Sequence, residues 1–128
     1  MGILTNARPV DIIGTRDRER AKTFYRDTLG LTLVKEDHFA AVFEAGGATI
    51  RVSTVPDWTA HSHTAMGFVI EDIETTAREL AGNGVVFNHY DGFNQDALGI
   101  WTSPDRSARV AWFHDPDGNV LSVTEFAG

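Results

Sequence analysis

The sequence contains the same pattern of apolar and polar residues twice, and this repeat constrains the fold more than any other feature. Residues 10–21 (VDIIGTRDRERA) and residues 65–77 (AMGFVIEDIETTA) each read as an apolar strand followed by a helix that opens at an aspartate, Asp17 or Asp72. An aspartate at that position accepts hydrogen bonds from the free N–H groups of the first helical turn. Self-similarity of this kind predicts two copies of one structural unit.

Three strand-like segments follow the predicted helix in each half. They read LTLVKE, FAAVFEA and ATIRVSTV in the first half and VVFNHY, RVAWFHD and NVLSVTEF in the second. The hairpins EAGGATIRV and HDPDGNVLSV align Gly47 with Gly118, a turn position that favours glycine. The sequence therefore predicts an α+β fold in one domain, residues 1–128, with a first module at about 8–54, a linker at 55–62 and a second module at about 63–126.

The two halves differ in one long segment. Gly47 follows Gly30 by 17 positions, whereas Gly118 follows Gly84 by 34, and the extra residues fall in the segment 91–108, DGFNQDALGIWTSPDRSA. A loop this long inside a compact domain is often functional.

Composition narrows the classes of partner. The chain has no cysteine, and 11 Lys and Arg residues against 18 Asp and Glu residues give a net charge of −7. This charge has the wrong sign for binding nucleic acid or an anionic membrane surface. The first residues show neither a signal peptide nor a membrane span, so we expect a cytoplasmic protein.

The phrases DRERAKTFYRDTLGL and WFHDPDGNVLSVTEF, within a duplicated strand, helix and three-strand unit, resemble the vicinal oxygen chelate superfamily. That superfamily includes glyoxalases, bleomycin resistance proteins and extradiol dioxygenases. The resemblance covers nearly the whole chain and implies two βαβββ modules that form a curled mixed sheet around a cup. It also implies a homodimer, but it does not specify an activity, because this fold hosts many.

Metal-using members of the superfamily place His, Glu or Gln ligands on the first and last strands of each module. The resemblance assigns those positions here to Val10, Arg51, Ala65 and Ser122. Two of these side chains are apolar, a guanidinium has no lone pair to give, and a serine hydroxyl is a poor ligand. His63 is a candidate for a displaced ligand, but one histidine does not make a site. The sequence predicts no bound metal and no cofactor.

If the four positions face one cavity, Arg51 brings a cation to its floor and favours an anionic or carbonyl ligand. The alternatives for Arg51 are an internal partner, Glu44 or Glu125, or a strand register that turns it to solvent. A shift of one residue would likewise turn Phe43 outward and bring Trp112 inward, and packing on the helices is the alternative for both Trp58 and Trp101. The predicted ligand-binding residues are Arg51, Ser122, Val10, Ile12, Ala65, Phe43, Phe113, Trp58, Trp101 and His63.

Three functions are compatible with these features. The first is a metal-free protein that binds a small molecule, of the sequestration or resistance type. The second is a lyase, isomerase or dioxygenase of the same superfamily that uses a displaced metal or metal-free acid–base chemistry, for which Asp91, Asp96 and His89 are candidates. The third is an obligate dimer whose sheet is an interaction surface. No residue is assigned a catalytic role by spacing, since the chain has no nucleophile elbow and no phosphate-binding loop.

Overall fold

A computed structural model describes residues 2–128. The chain forms two compact units, one ending at Trp58 and the other beginning at Thr59. The first contains β1 (Val10–Thr15), α1 (Arg18–Thr23), β2 (Thr32–Glu36), β3 (Ala40–Ala45) and β4 (Ala48–Thr54). The second contains β5 (Thr64–Val69), α2 (Ile73–Gly82), β6 (Trp101–Thr102), β7 (Ala108–His114) and β8 (Val120–Phe126). The fold is α+β, with the βαβββ order present twice.

Each unit has a mixed sheet of four strands. The order is β1-β4-β3-β2 in the first unit and β5-β8-β7-β6 in the second. In each, the first strand runs parallel to the last, while the remaining neighbours are antiparallel. A strand that joins its parallel partner needs a crossover connection, and in both units the helix supplies it.

The helices begin where the sequence predicts. Asp17 accepts a hydrogen bond from the N–H of Arg20 at 3.1 Å, and Asp72 accepts one from the N–H of Thr75 at 3.1 Å. That bond from Thr75 is the main reason why the pKa of Asp72 is lowered. Residues Phe24–Thr28 extend α1 as a π-helical turn that the sequence did not predict. Neither helix is long and apolar enough to cross a membrane, a statement that holds for residues 2–128.

Each helix covers one face of its own sheet. In the first unit Tyr25, from the π-helical turn, is fully buried with its ring 5.9 Å from that of Phe43. In the second unit α2 contributes the buried residues Ile73, Ala77 and Leu80 and packs on β7 and β8. Burial of these apolar stripes is the main stabilising term for such a small fold.

The last hairpin of each unit also follows the sequence. Gly47 and Gly118 have φ angles of 82° and 86°, which only glycine adopts at little cost. In the second hairpin the buried carboxylate of Asp115 accepts hydrogen bonds from the N–H groups of Asp117 and Asn119 and from the side-chain amide of Asn119. These bonds hold in place the turn that leads into β8.

The predicted strand VVFNHY is wrong. Residues 85–90 make only an isolated bridge, Phe87 to Phe113, and the edge of the second sheet is β6, which comes from the long loop. The N–H of Asn88 donates to the carbonyl of Trp112 on β7, but Val85 donates its N–H to the carbonyl of Leu80, and the carbonyl of Asn88 accepts from the side chain of Gln95. Side-chain bonds of this kind compete with a strand ladder for the same backbone groups.

Candidate functional site

The strand register separates two faces in each sheet. Phe43 pairs with Ile50 on the face that the helical segment covers, whereas Arg51, one residue further along, points to the opposite side. We call the side turned away from the helix the distal face. In the second unit it carries Ser122 and Trp112, which pair across β8 and β7.

Phe43 therefore lies on the opposite side of its sheet from Arg51, and Phe113 lies on the opposite side of its sheet from Ser122. Both are buried on the helix side, where Phe43 meets Tyr25 and Phe113 meets Phe87 at a ring distance of 5.7 Å. The expectation fails by one residue of register, because neighbouring residues on a strand face opposite sides. The alternative that brings Trp112 to the ligand side is the one that the register supports.

The distal face of the first unit holds an ion pair. Arg51 Nη2 donates to Asp37 Oδ2 at 2.8 Å, and Asp37 Oδ1 accepts the N–H groups of Phe39 and Ala40. Arg51 and these backbone donors lower the pKa of Asp37 to about 2. Neither predicted partner is used, because Glu44 does not contact Arg51 and Glu125 accepts the N–H of Ile73.

Two other predicted residues share the face of Arg51. Val10 pairs with Thr49 and Ile12 pairs with Arg51, so all of these side chains lie on the distal face. Ile12 is 68% exposed. The ring of Trp58 lies against Gly14 on that face, where a Cβ would stand only 2.2 Å from the nearest ring atom. This places Trp58 on the predicted side of its sheet.

The second unit has a different arrangement at the matching positions. Gly67 of β5 pairs with Ser122, and a Cβ on Gly67 would lie 2.8 Å from the serine Oγ. Ala65, expected beside Ser122, falls in a β-bulge between Thr64 and Met66 and has no partner in the ladder. The residue opposite Ser122 is thus two positions beyond Ala65, and in the first unit the residue opposite Arg51, Ile12, is likewise two positions beyond Val10.

An open pocket of about 460 Å³ lies in the second unit. Its walls come from the entry to β5, from the loop after α2 and from the centre of β7; the lining residues are Ser62, His63, Thr64, Tyr90, Asp91, Phe93 and Trp112. Of the predicted residues, His63 lines this pocket. His63 also stacks on His61, with ring centroids 5.2 Å apart.

Four aromatic rings form a cluster at this pocket. Trp112 is at its centre, with ring centroids 5.7 Å from Tyr90, 5.8 Å from Phe93 and 6.2 Å from Trp101. The first two contacts are edge-to-face, an arrangement that aromatic pairs favour. The predicted residue Trp101 thus belongs to the aromatic wall although it does not line the pocket itself.

Gln95 and Asp96 hold the loop that carries these rings. Gln95 Nε2 donates to the carbonyls of Asn88 and Gly99, both at 2.8 Å, and Gln95 Oε1 accepts the N–H of Tyr90 at 2.7 Å. Asp96 Oδ1 accepts the N–H groups of Leu98 and Ile100 at 2.9 Å. The loop is therefore braced by its own side chains, and Asp96 has a structural use rather than the acid–base role that was considered for it.

Sequence reasoning did not select Tyr90, Phe93, Thr64 or Ser62 as site residues, and it considered Asp91 only as an acid or base. One signal was present. The insertion and its approach carry Tyr90, Phe93 and Trp101 in a segment that otherwise reads as exposed, and exposed rings this close together indicate a shared surface.

Comparison with known proteins gives the family. The family model described as Glyoxalase/Bleomycin resistance protein/Dioxygenase superfamily matches residues 8–123. The chain belongs to this superfamily. No curated protein sequence matches the chain.

Solved structures of the superfamily share the fold at low sequence identity. A glyoxalase family protein from Enterococcus faecalis is 18% identical with a TM-score of 0.75, covering 96% of this chain and 100% of its own. A superfamily member from Sphaerobacter thermophilus is 21% identical with a TM-score of 0.74, over 96% and 99%. A lactoylglutathione lyase from Agrobacterium tumefaciens is 16% identical with a TM-score of 0.72, over 94% and 93%.

The four residues that the resemblance assigns to metal positions do not suit a metal. Val10 has no donor atom, and Arg51 is a cation that already pairs with Asp37. Ala65 has no donor either, and Ser122 offers only a hydroxyl. Across residues 2–128, no three His, Asp or Glu side chains gather closely enough to hold a metal ion elsewhere. We therefore derive no chemistry through a metal.

Proposed function

We propose that the protein binds a small organic molecule, in the manner of sequestration or resistance proteins of the superfamily, and does so without a metal. The observation that carries this proposal is the pocket of about 460 Å³ with Trp112 and two further rings in its wall. Pockets of this size, mostly apolar and with a few polar groups, are typical of small-molecule sites.

The structure of the loop supports a preformed site. The three hydrogen bonds of Gln95 hold Tyr90 and the turn at Gly99 in place, so the rings keep their positions before any ligand arrives. A site that is already ordered loses less conformational entropy on binding.

The roles of Arg51, Ser122, Val10, Ile12 and Trp58 as ligand contacts stay predictions. An anionic ligand at Arg51 would compete with Asp37 for the guanidinium. Replacing Arg51 by Ala should weaken the binding of such an anion at least about tenfold, since a charge-assisted hydrogen bond contributes on the order of 1.5–3 kcal/mol. An unchanged affinity for an identified ligand would remove Arg51 from the site.

The direct test is native mass spectrometry of protein purified without chelator, combined with elemental analysis. We expect a co-purified organic compound or, from a panel of small molecules, saturable binding that moves the indole N–H resonance of Trp112. The Trp112→Ala variant should lose this binding. One tightly held transition metal per chain, with no organic ligand, would contradict the proposal.

The enzymatic alternative rests on one observation, that His63 and Asp91 line the same pocket and could serve as acid and base. If the protein turns over a bound compound, His63→Gln should abolish turnover while leaving binding of that compound nearly unchanged. An equal loss of turnover and of binding would identify His63 as a binding residue.

We also expect a cytoplasmic homodimer, as the resemblance to the superfamily implies. Light scattering coupled to gel filtration measures the molar mass directly, and a single species at the mass of one chain, 14.1 kDa, would contradict the dimer.

A further inference from the structure

The charge of the pocket in the second unit is negative. Asp91 is the one carboxylate among the lining residues, which include no Lys and no Arg. Within residues 2–128, no hydrogen bond or ion pair involves the Asp91 carboxylate, in contrast to Asp37, Asp72, Asp96 and Asp105, which all have partners. An exposed carboxylate at the edge of an aromatic pocket is available to a cation.

The aromatic wall favours the same charge. The faces of Tyr, Phe and Trp rings carry negative electrostatic potential, and cations bind there when they come within about 6 Å of the ring centroid. Tryptophan has the strongest such face, and the rings of Tyr90 and Phe93 make edge-to-face contacts with Trp112 at centroid distances of 5.7 and 5.8 Å. Tyr90 is itself oriented, because its hydroxyl accepts a hydrogen bond from Asn88 Nδ2 at 3.0 Å.

The size of the pocket and the net charge of the chain complete the description. A volume of about 460 Å³ accommodates two fused rings with substituents. A net charge of −7 raises the local concentration of cations around the whole molecule. Ser62 and Thr64 add hydroxyls at the wall, which can accept from an N–H group without adding charge.

We propose that this pocket selects flat organic cations, namely fused aromatic rings that carry a quaternary or protonated nitrogen. The inference rests on the proposed function and deepens it by naming the ligand class. Trp112 and Phe93 contact the rings of the ligand, Tyr90 borders it, and Asp91 balances its charge at the mouth.

The test compares two probes of the same shape, N-methylquinolinium and 1-methylnaphthalene, which differ in charge. Binding to the full chain is followed through the indole N–H resonances of its three tryptophans. We expect the cation to bind at least tenfold more tightly than the hydrocarbon and to shift Trp112 and Trp101.

Two charge variants separate the local effect from the global one. Asp91→Asn should weaken binding of N-methylquinolinium about three- to tenfold and leave 1-methylnaphthalene unchanged. Glu79→Gln, which removes the same charge from the exposed side of α2, should change neither affinity by as much as twofold. An equal loss in both variants would mean that net charge alone attracts the cation, and would overturn the role of Asp91.

The outcomes distinguish this inference from the proposed function. If both probes bind equally well, the preference for cations is wrong although a small-molecule pocket exists. If neither probe binds, the ligand class is wrong, and the proposed function is then decided by the search for a co-purified compound. Tighter binding of the cation that survives Trp112→Leu would also overturn the inference, because the aromatic wall would not be responsible.

Discussion

The two units have the same strand order, but the residues at the centre of their distal faces differ. In the first unit β1, β4 and β3 contribute Ile12, Arg51 and Val42 side by side. In the second unit β5, β8 and β7 contribute Gly67, Ser122 and Trp112. Of these residues Trp112 lines the pocket of the second unit, whereas Arg51 in the first unit is paired with Asp37.

The difference extends to the loops. The connection from the helical segment to the edge strand is short in the first unit, residues 29–31, whereas in the second unit it spans residues 83–100 and forms the loop with the aromatic cluster. The distal face of the first unit is thus charge-paired, and the second unit has the aromatic pocket. Two residues that line this pocket, Asp91 and Phe93, lie in the inserted segment, which the first unit lacks.

The largest effect should come from removing the brace of the second loop. Gln95→Ala deletes three hydrogen bonds to backbone groups. We expect a loss of roughly 2–3 kcal/mol in the free energy of unfolding, because each such bond contributes about 1 kcal/mol. Urea denaturation measures the loss. Asn94→Ala, an exposed neighbour in the same loop, should stay within about 0.5 kcal/mol, and an equal effect of both variants would contradict the role of Gln95.

A glycine-to-alanine change at Gly14 should destabilise the first unit as well. A Cβ at Gly14 would lie between 2.2 and 2.6 Å from atoms of the Trp58 ring, so the ring must move. Forced overpacking of this kind costs about 1–3 kcal/mol, measurable by urea denaturation. Gly82→Ala is the control: the added methyl meets no atom within 4 Å, and alanine in a helix should stabilise the protein by about 0.5–1 kcal/mol.

Adding a methyl group at Gly67 in the second unit should destabilise the protein less. A Cβ at Gly67 would stand 2.8 Å from Ser122 Oγ, a hydroxyl that can rotate to another rotamer. We expect Gly67→Ala to lose about 0.5–1.5 kcal/mol of stability. The double variant with Ser122→Ala should recover most of this loss, and a double variant as unstable as the sum of the two single changes would show that the two residues do not compete for space.

The smallest effect is expected for two acidic turns, one at Asp37 and one at Asp105. Arg51, followed by the N–H of Phe39, lowers the pKa of Asp37 to about 2, and the N–H of Ser107, followed by its hydroxyl, lowers the pKa of Asp105 to about 2. A carboxylate with a lowered folded-state pKa stabilises the protein above its unfolded pKa near 4, and this contribution disappears as the pH falls from 4 to 2.

Asp37→Asn and Asp105→Asn should therefore each reduce the loss of stability between pH 4 and pH 2, as followed by urea midpoints. Salt separates them, because only Asp37 is in an ion pair. At 1 M NaCl the difference between the wild type and Asp37→Asn should shrink, while that for Asp105→Asn should not. An identical response to salt would contradict the assignment of an ion pair to the first turn.

Local features of the fold could be predicted from the sequence. The caps at Asp17 and Asp72 and the turns at Gly47 and Gly118 involve residues within a few positions of one another, so residue type and spacing are sufficient to predict them. The alternation along β4, with Arg51 on the side away from the helix, also follows from the two-residue period of a strand.

Other features depend on contacts between segments that are distant in sequence, and only the tertiary structure establishes these contacts. The partner of Arg51 is Asp37, 14 positions away, and only the pairing of three strands brings them together. The sides on which Phe43 and Phe113 lie depend on a register that one residue reverses, and the bulge at Ala65 is not encoded in any pattern of period two. The strand at the edge of the second sheet is β6 from the inserted segment, and the side chain of Gln95 bonds the carbonyl of Asn88 and the N–H of Tyr90 in the predicted strand. The repeated unit thus follows from the sequence by itself, whereas the position of the aromatic pocket depends on how the inserted loop packs against Trp112 of the second sheet.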